Sequence, residues 1–270
     1  MTSSQFLDVP GGRLAYDVQG PDSGPLVVGL HGMGDSRATF RFLTPLLTSR
    51  GYRVATLDAR GHGESTAGWP DTSQQSTGAD LAALIRHLGG PAIVAGNSSG
   101  AGSAAFLAAT EPGLVTGLVL ISAFASEPTP NPVMAAAQYL VLRSPLLWGL
   151  YFRSLFTTRK PADLGDYVSR MRATLRQPGR MAAVRGVVAP GNAHWSAVAG
   201  QIRCPVLIVH GSKDPDYPDP AAAAREAQAL LTGAASTEIA MIDGAGHYPQ
   251  AEMPEKTAQA MDTLLTAARA

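Results

Sequence analysis

Short, almost wholly apolar runs alternate with segments of helical periodicity along most of this chain. The apolar runs cover residues 26–30, 54–57, 92–95, 118–121, 206–209 and 239–242. The helical segments cover residues 38–49, 78–88, 100–109, 220–231 and 254–268. Strands that are buried on both faces form continuous apolar runs, and parallel strands are joined by helical crossovers. The pattern therefore predicts an α/β fold with a doubly wound, mostly parallel sheet.

Two segments depart from this alternation. Residues 6–9 and 13–18 flank a Pro-Gly-Gly turn and predict an antiparallel hairpin at the start of the chain. After Phe124, about eighty residues pass before the next strand run, far more than a structureless connection needs. We expect a helical cap at residues 126–200, inserted into a core formed by residues 1–125 and 201–270.

The composition fits a globular protein without a strong overall electric field. Of 270 residues, 45% are hydrophobic and 16% are charged, and 21 basic residues balance 21 acidic ones. A neutral chain gives no support for a nucleic-acid partner, so we expect none. The oligomeric state stays open.

Several features favour a cytoplasmic location. The one cysteine, Cys204, cannot form an intramolecular disulfide, and the first residues lack the basic and apolar regions of a secretory signal. The longest apolar stretch, residues 132–152, is interrupted by Gln138, Arg143, Ser144 and Pro145. We therefore expect no stable membrane insertion.

The segment Gly96-Asn97-Ser98-Ser99-Gly100 places a serine between an apolar run and a helical segment rich in small residues. This is the strand, sharp turn and helix in which a nucleophilic serine is lifted clear of the sheet. Glycines two positions before and after it relieve crowding and select Ser98 over Ser99. The backbone N–H of Ser99 is then half of a predicted oxyanion hole.

A serine hydroxyl needs a general base, and chain order selects one of the six histidines. In this motif the nucleophile is followed by the acid and then by the base. Three histidines precede Ser98, His194 lies in the insertion, and His210 precedes the best acid. His247 remains, in a glycine-rich loop just after the last strand run. It is the predicted base.

The acid that orients this histidine is predicted to be Asp214, which leaves the carboxyl end of the run at residues 206–209. Asp216 and Asp219 lie in the same proline-rich loop and could exchange roles with it. Glu127 is a further possible acid, because it follows the run at residues 118–121.

The run at residues 26–30 leads into His31-Gly32-Met33-Gly34 at the same predicted edge of the sheet. Flanking glycines allow the tight backbone path that turns N–H groups inward. The N–H of Met33 is the predicted second donor of the oxyanion hole.

With these pieces located, the chain resembles the α/β-hydrolase superfamily through LHGMG, LDARGHGES, GNSSG, VHGSKD and GAGHYPQ, in that order. The resemblance implies an esterase, a lipase or a related acyl hydrolase with a helical cap, and neither a metal nor an organic cofactor. It also implies that the loop containing His62 is structural. Thioesterase, lactonase, carbon–carbon bond hydrolase and perhydrolase use the same triad, and a non-catalytic binding protein on this scaffold is an alternative of another class.

The substrate is expected to be a small, largely apolar ester-like molecule. His31, Asn97, Trp148 and Phe152 are the predicted pocket residues. Other apolar residues of the insertion could also line an acyl pocket, namely Val133, Met134, Tyr139, Leu140, Leu146, Leu147, Leu150, Tyr151 and Phe156. The insertion carries nine basic residues against three acidic ones, which fits an anionic partner or a solvated helix face.

Overall fold

A computed structural model describes residues 4–126 and 131–267. An eight-stranded sheet with strand order β1-β2-β4-β3-β5-β6-β7-β8 forms its centre. The strands are β1 (Gln5–Val9), β2 (Gly12–Gln19), β3 (Leu26–Leu30), β4 (Arg53–Leu57), β5 (Ala92–Asn97), β6 (Val115–Ile121), β7 (Val206–Gly211) and β8 (Thr237–Ile242). The first two strands pair antiparallel, and β3 to β8 are all parallel. The predicted fold class and the predicted hairpin are confirmed.

Ten α-helices surround or extend this sheet in the described ranges. They are α1 (Leu43–Thr48), α2 (Gln74–His87), α3 (Ser99–Thr110), α4 (Pro132–Val141), α5 (Pro145–Ser154), α6 (Leu164–Leu175), α7 (Arg180–Val187), α8 (Pro220–Leu230), α9 (Pro249–Glu252) and α10 (Pro254–Ala267). Short 3-10 helices lie at Arg37–Phe40, Pro112–Leu114, Trp195–Ala197 and Ala199–Gln201.

Two hydrophobic clusters, one on each face of the sheet, hold the helices against it. One face packs on α2, α3 and α8 through residues such as Leu81, Ala104 and Ala224. The other face packs on α1 and α10 through residues such as Leu47 and Met261. Every residue of β3, β5 and β7 is buried, which explains why these strands appear as uninterrupted apolar runs.

The predicted helix at residues 38–49 is wrong as one element. The chain instead forms the 3-10 helix Arg37–Phe40 and then α1. Pro45 has no N–H, and its ring would clash with the carbonyl of Arg41 in a continuous helix. The helix predicted at residues 78–88 begins earlier, at Gln74, because the Ser73 hydroxyl caps it by accepting a hydrogen bond from the N–H of Ser76.

Between β6 and β7, the described residues include helices α4 to α7, which contact the loops at the carboxyl ends of the strands. Trp148 Nε1 donates to the carbonyl of Gly34 at 3.2 Å, and Thr72 Oγ1 donates to the carbonyl of Ala183 at 2.9 Å. A third hydrophobic cluster holds the insertion together around Phe152.

No single helix in the described residues is long and apolar enough to cross a bilayer. By length and composition α4 and α5 pass that test only as a pair, and the pair is bent by 115°.

Candidate active site

Ser98 occupies a sharp turn between β5 and α3. Its backbone has φ 53° and ψ −120°, a conformation that residues with a side chain rarely adopt. The N–H of Ser98 donates to the carbonyl of Ile121 in the neighbouring strand at 2.8 Å, which holds the turn against the sheet. Such strain persists only where the surroundings enforce it, and it is common at functional sites.

Glycines make this turn possible, as the sequence indicated. A Cβ on Gly96 would lie 2.2 Å from the carbonyl oxygen of Gly100, and a Cβ on Gly100 would lie 2.4 Å from that of His31. Strand β5, helix α3 and the loop after β3 therefore meet with no room for a side chain at either position.

The loop after β3 lies against the Ser98 turn. A Cβ on Gly32 would be 3.1 Å from the Cβ of Ser98, so the two segments are in contact. Within the described part of the chain, the N–H groups of Met33 and Ser99 donate no hydrogen bond. Both predicted oxyanion donors are therefore unpaired among the described residues, and their role stays a prediction.

Both ring nitrogens of His31 form hydrogen bonds with the surrounding backbone. Its Nδ1 donates to the carbonyl of Gly32 at 2.6 Å, and its Nε2 accepts from the N–H of Ala59 at 3.0 Å. Burial lowers the pKa of His31 to about 4, so the ring is neutral. It joins the loop after β3 to the loop after β4, and it also lines a small cavity beside Met33 and Ser99.

His247 and Asp214 are brought together from loops that follow β8 and β7. The Nδ1 of His247 donates to Oδ2 of Asp214 at 2.8 Å, and both side chains are buried. A proton on Nδ1 leaves Nε2 as the basic nitrogen of the neutral ring. This is the tautomer that a general base needs.

Asp216 is the second carboxylate at this histidine, but it occupies a different position. Its Oδ2 lies 3.7 Å from Nδ1 of His247, too far for a hydrogen bond. Tyr151 in α5 donates to Oδ2 and Oδ1 of Asp216 at 2.8 and 3.0 Å. Asp219 is exposed and caps α8, and Glu127 lies outside the described residues. Among the described candidates, the geometry favours Asp214 as the acid.

The charges around His247 favour its protonated form. Burial opposes that form, but Asp214, and then Asp216 and Glu252, outweigh burial and raise the pKa of His247 to about 9. Burial alone would raise the pKa of Asp214, yet the neighbouring His247 lowers it. Asp214 is therefore charged at neutral pH.

The Ser98 turn and the His247 loop are joined through Asn97 rather than by a side-chain bond between Ser98 and His247. No described residue gives the Ser98 hydroxyl a hydrogen-bond partner. Buried Asn97, predicted as a pocket residue, instead donates from Nδ2 to the carbonyl of His247 at 3.2 Å. Catalytic hydrogen bonds often tighten only when substrate is bound.

Glu252 supports the His247 loop and was missed from the sequence. Its carboxylate accepts from the N–H groups of Gly246, Tyr248 and Thr157 at 3.0, 3.2 and 3.3 Å, and its side chain is buried. An acidic residue five positions after His247 was the available signal. Tyr151 was considered only as an apolar pocket residue, so its bond to Asp216 was also missed.

The two predicted pocket residues of α5 are buried. Trp148 contacts the loop after β3 through its bond to Gly34, and Phe152 packs against Tyr167 and Tyr248. Their role in substrate binding stays a prediction.

One group of side chains among the described residues has the spacing of metal ligands. It consists of Asp214, Asp216 and His247, with one ligand atom from each lying within 4.8 Å of the others. Nδ1 would have to lose its proton and its bond to Asp214 to bind an ion, so the hydrogen-bonded arrangement competes with a metal.

Comparison with known proteins shows the family of this chain. The model of the alpha/beta hydrolase family matches residues 27–260. The chain belongs to the α/β-hydrolase family. This hydrolase also resembles a bromoperoxidase from Bacillus anthracis in its fold, with a TM-score of 0.82, 18% identity, and coverage of 98% of this chain and 100% of that one.

Curated relatives of this α/β hydrolase include enzymes of different named activities. The bifunctional esterase/perhydrolase DCH of Acinetobacter calcoaceticus is 27% identical over 83% of this chain and 86% of its own length. Proline iminopeptidase PfmaB of Pestalotiopsis fici is 36% identical over 36% of this chain. That alignment spans only 35% of PfmaB.

Proposed function

We propose that this α/β hydrolase is a serine hydrolase that cleaves a carboxylic ester, or a related acyl bond, of a small and largely apolar substrate. One observation carries the proposal: buried His247 is hydrogen-bonded to Asp214, and its carbonyl accepts from Asn97, which precedes the strained Ser98. The similarity to a bifunctional esterase/perhydrolase over 83% of this chain supports the ester class.

In the proposed first step, Nε2 of His247 takes the proton of Ser98 as its oxygen attacks the substrate carbonyl. Asp214 keeps the other ring proton on Nδ1 and stabilises the imidazolium that forms. The N–H groups of Met33 and Ser99 donate to the negatively charged oxygen of the tetrahedral intermediate. His247 then gives its proton to the leaving alcohol, and the acyl group stays on Ser98.

In the second step a water molecule attacks this acyl-enzyme. His247 takes a proton from the water, and the second tetrahedral intermediate forms in the same oxyanion hole. Its collapse releases the carboxylic acid, and the proton returns to the oxygen of Ser98.

Residues 126–200 are proposed to act as a cap over this site. The buried aromatic side chains of α5 would exclude water and present an apolar surface to the acyl chain. The contact between Trp148 and Gly34 supports this role, because it joins α5 to the loop of the oxyanion donor.

A panel of p-nitrophenyl esters, thioesters and lactones tests the proposal. We expect a burst of p-nitrophenol as the acyl-enzyme forms, and we expect Ser98→Ala to abolish both the burst and turnover. Ser99→Ala is the matched control, since it keeps the backbone N–H and should stay active. Absence of turnover across the panel, or full activity in Ser98→Ala, would contradict the proposal.

A further inference from the structure

Helix α4 presents apolar side chains to solvent on all of its faces. It contains no charged residue, yet none of its residues is buried. Val133 is 79% exposed, and Met134, Tyr139 and Leu140 are each more than half exposed. A helix that is apolar all round is normally buried, yet α4 buries none of its residues against the described part of the chain.

The exposed apolar surface continues from α4 onto the outer side of α5. Leu146 and Leu150 are 50% and 58% exposed. Eight large hydrophobic residues are exposed in the described ranges, and six of them lie on these two helices. We call these six the hairpin surface: Val133, Met134, Tyr139, Leu140, Leu146 and Leu150. Because all six are at least half exposed, the expectation that they line a pocket is wrong. A cluster of exposed apolar side chains of this size marks an interaction site.

The segment that carries the hairpin surface has charges of one sign. Residues 131–162 contain Arg143, Arg153, Arg159 and Lys160 and no acidic residue. All four cationic side chains are exposed. The chain as a whole is neutral, so this segment is locally basic against an acidic remainder. Exposed apolar side chains in a segment whose charges are all cationic are complementary to anionic phospholipids.

We infer that the hairpin surface binds the surface of an anionic phospholipid bilayer, with α4 lying in the interface and α5 beside it. Neither helix is long enough to span a bilayer by itself, because ten residues of helix reach about 15 Å and the hydrocarbon core is about 30 Å thick. A second copy of the chain fits less well, since a symmetric contact through this surface brings two basic segments together.

Binding in this way would bring the candidate site close to the lipid. The side of α5 opposite Leu146 and Leu150 carries Trp148 and Tyr151, which contact Gly34 and Asp216. One short helix therefore separates the membrane surface from the residues at the site. The inference concerns binding alone, so it does not depend on the proposed ester hydrolysis.

Sedimentation of the full chain with vesicles tests this inference directly. The probes are vesicles of phosphatidylcholine alone and vesicles with three parts phosphatidylcholine to one part phosphatidylglycerol. We expect binding to the anionic vesicles at least about tenfold tighter than to the neutral ones, weakened by salt. The double variant Val133→Gln/Leu140→Gln should weaken that binding at least about tenfold.

Matched variants test whether vesicle binding depends on the hairpin surface or on any exposed apolar or basic residue. Phe6→Gln removes an exposed apolar side chain from β1 and should leave vesicle binding unchanged. Arg143→Gln/Arg153→Gln should weaken binding to anionic vesicles, whereas Arg176→Gln/Arg225→Gln, also at exposed positions, should not. Unchanged circular dichroism and melting temperature would show that each variant is folded.

Three results would overturn the inference. The wild type could fail to sediment with anionic vesicles, or it could bind them equally well after the hairpin substitutions. Light scattering could instead show a dimer that Val133→Gln/Leu140→Gln converts to a monomer, which would assign the hairpin surface to a second copy of the chain.

Discussion

Asp216 lies with its Oδ2 3.7 Å from Nδ1 of His247, while Asp214 accepts the hydrogen bond from the same nitrogen at 2.8 Å. The histidine therefore has two carboxylates on one side, and only one of them fixes its orientation. The other adds negative charge and is itself bound by Tyr151 of the insertion. Asp214 therefore both orients the base and contributes most to its raised pKa, whereas Asp216 contributes charge alone.

The pH dependence of the rate tests the effect of Asp216. Only neutral His247 can accept the Ser98 proton, so kcat/KM should fall as the pH drops through the raised pKa of His247. Asp216→Asn removes a charge that favours the imidazolium, so this acid limb should move to lower pH by about one unit. Asp219→Asn is the control, because asparagine caps α8 equally well and the residue is exposed. An unmoved limb in Asp216→Asn would refute this role.

Substitution of Asp214 should have a different and larger effect. Asp214→Asn removes the acceptor that holds the proton on Nδ1 of His247, so kcat should fall by about 10⁴-fold. Asp216→Asn should retain most of the plateau rate. A larger loss in Asp216→Asn than in Asp214→Asn would assign the acid role to Asp216.

Chain order and strand ends were sufficient to predict much of this site. Ser98 and His247 follow apolar runs, and parallel strands carry such residues to one edge of the sheet. The sequence favoured Asp214 but left Asp216 open, because the residues are two positions apart in one loop and differ only in side-chain direction. It also could not predict the contact of Tyr151 with Asp216, which joins residues 65 positions apart through packing of the insertion.

The loop containing His62 is expected to support stability rather than chemistry. The buried carboxylate of Asp58 accepts from the N–H groups of Arg37 and Glu64 at 2.7 and 2.8 Å and is paired with the Arg37 guanidinium. Arg37→Met leaves this charge without its cation and should lower the free energy of unfolding by about 3 kcal/mol in a urea titration.

The matched control for this prediction is Arg50→Met, which removes the cation of a more exposed pair with Asp262 and should cost less than about 1 kcal/mol. Equal losses in the two variants would be inconsistent with a structural role for the pair of Arg37 and Asp58. Folded Arg37→Met should retain ester hydrolysis.

The close contact between Gly34 and Trp148 predicts that a substitution of Gly34 lowers activity. Gly34 has φ +68°, and a Cβ there would lie 2.3 Å from the indole of Trp148. Gly34→Ala should strain the loop of the Met33 donor and lower kcat/KM by about tenfold or more. Gly165→Ala in α6 is the control, since a Cβ there meets nothing within 4 Å. If both variants match wild type in rate and melting temperature, the contact between Gly34 and Trp148 does not affect the Met33 donor.

Covalent labelling tests the assignment of the nucleophile most directly. The protein is incubated with a fluorophosphonate, and intact mass and peptide mapping are measured for wild type, Ser98→Ala and Ser99→Ala. We predict one adduct on Ser98 in wild type and in Ser99→Ala, and none in Ser98→Ala. An adduct that persists in Ser98→Ala, or that maps to another residue in wild type, would contradict the account.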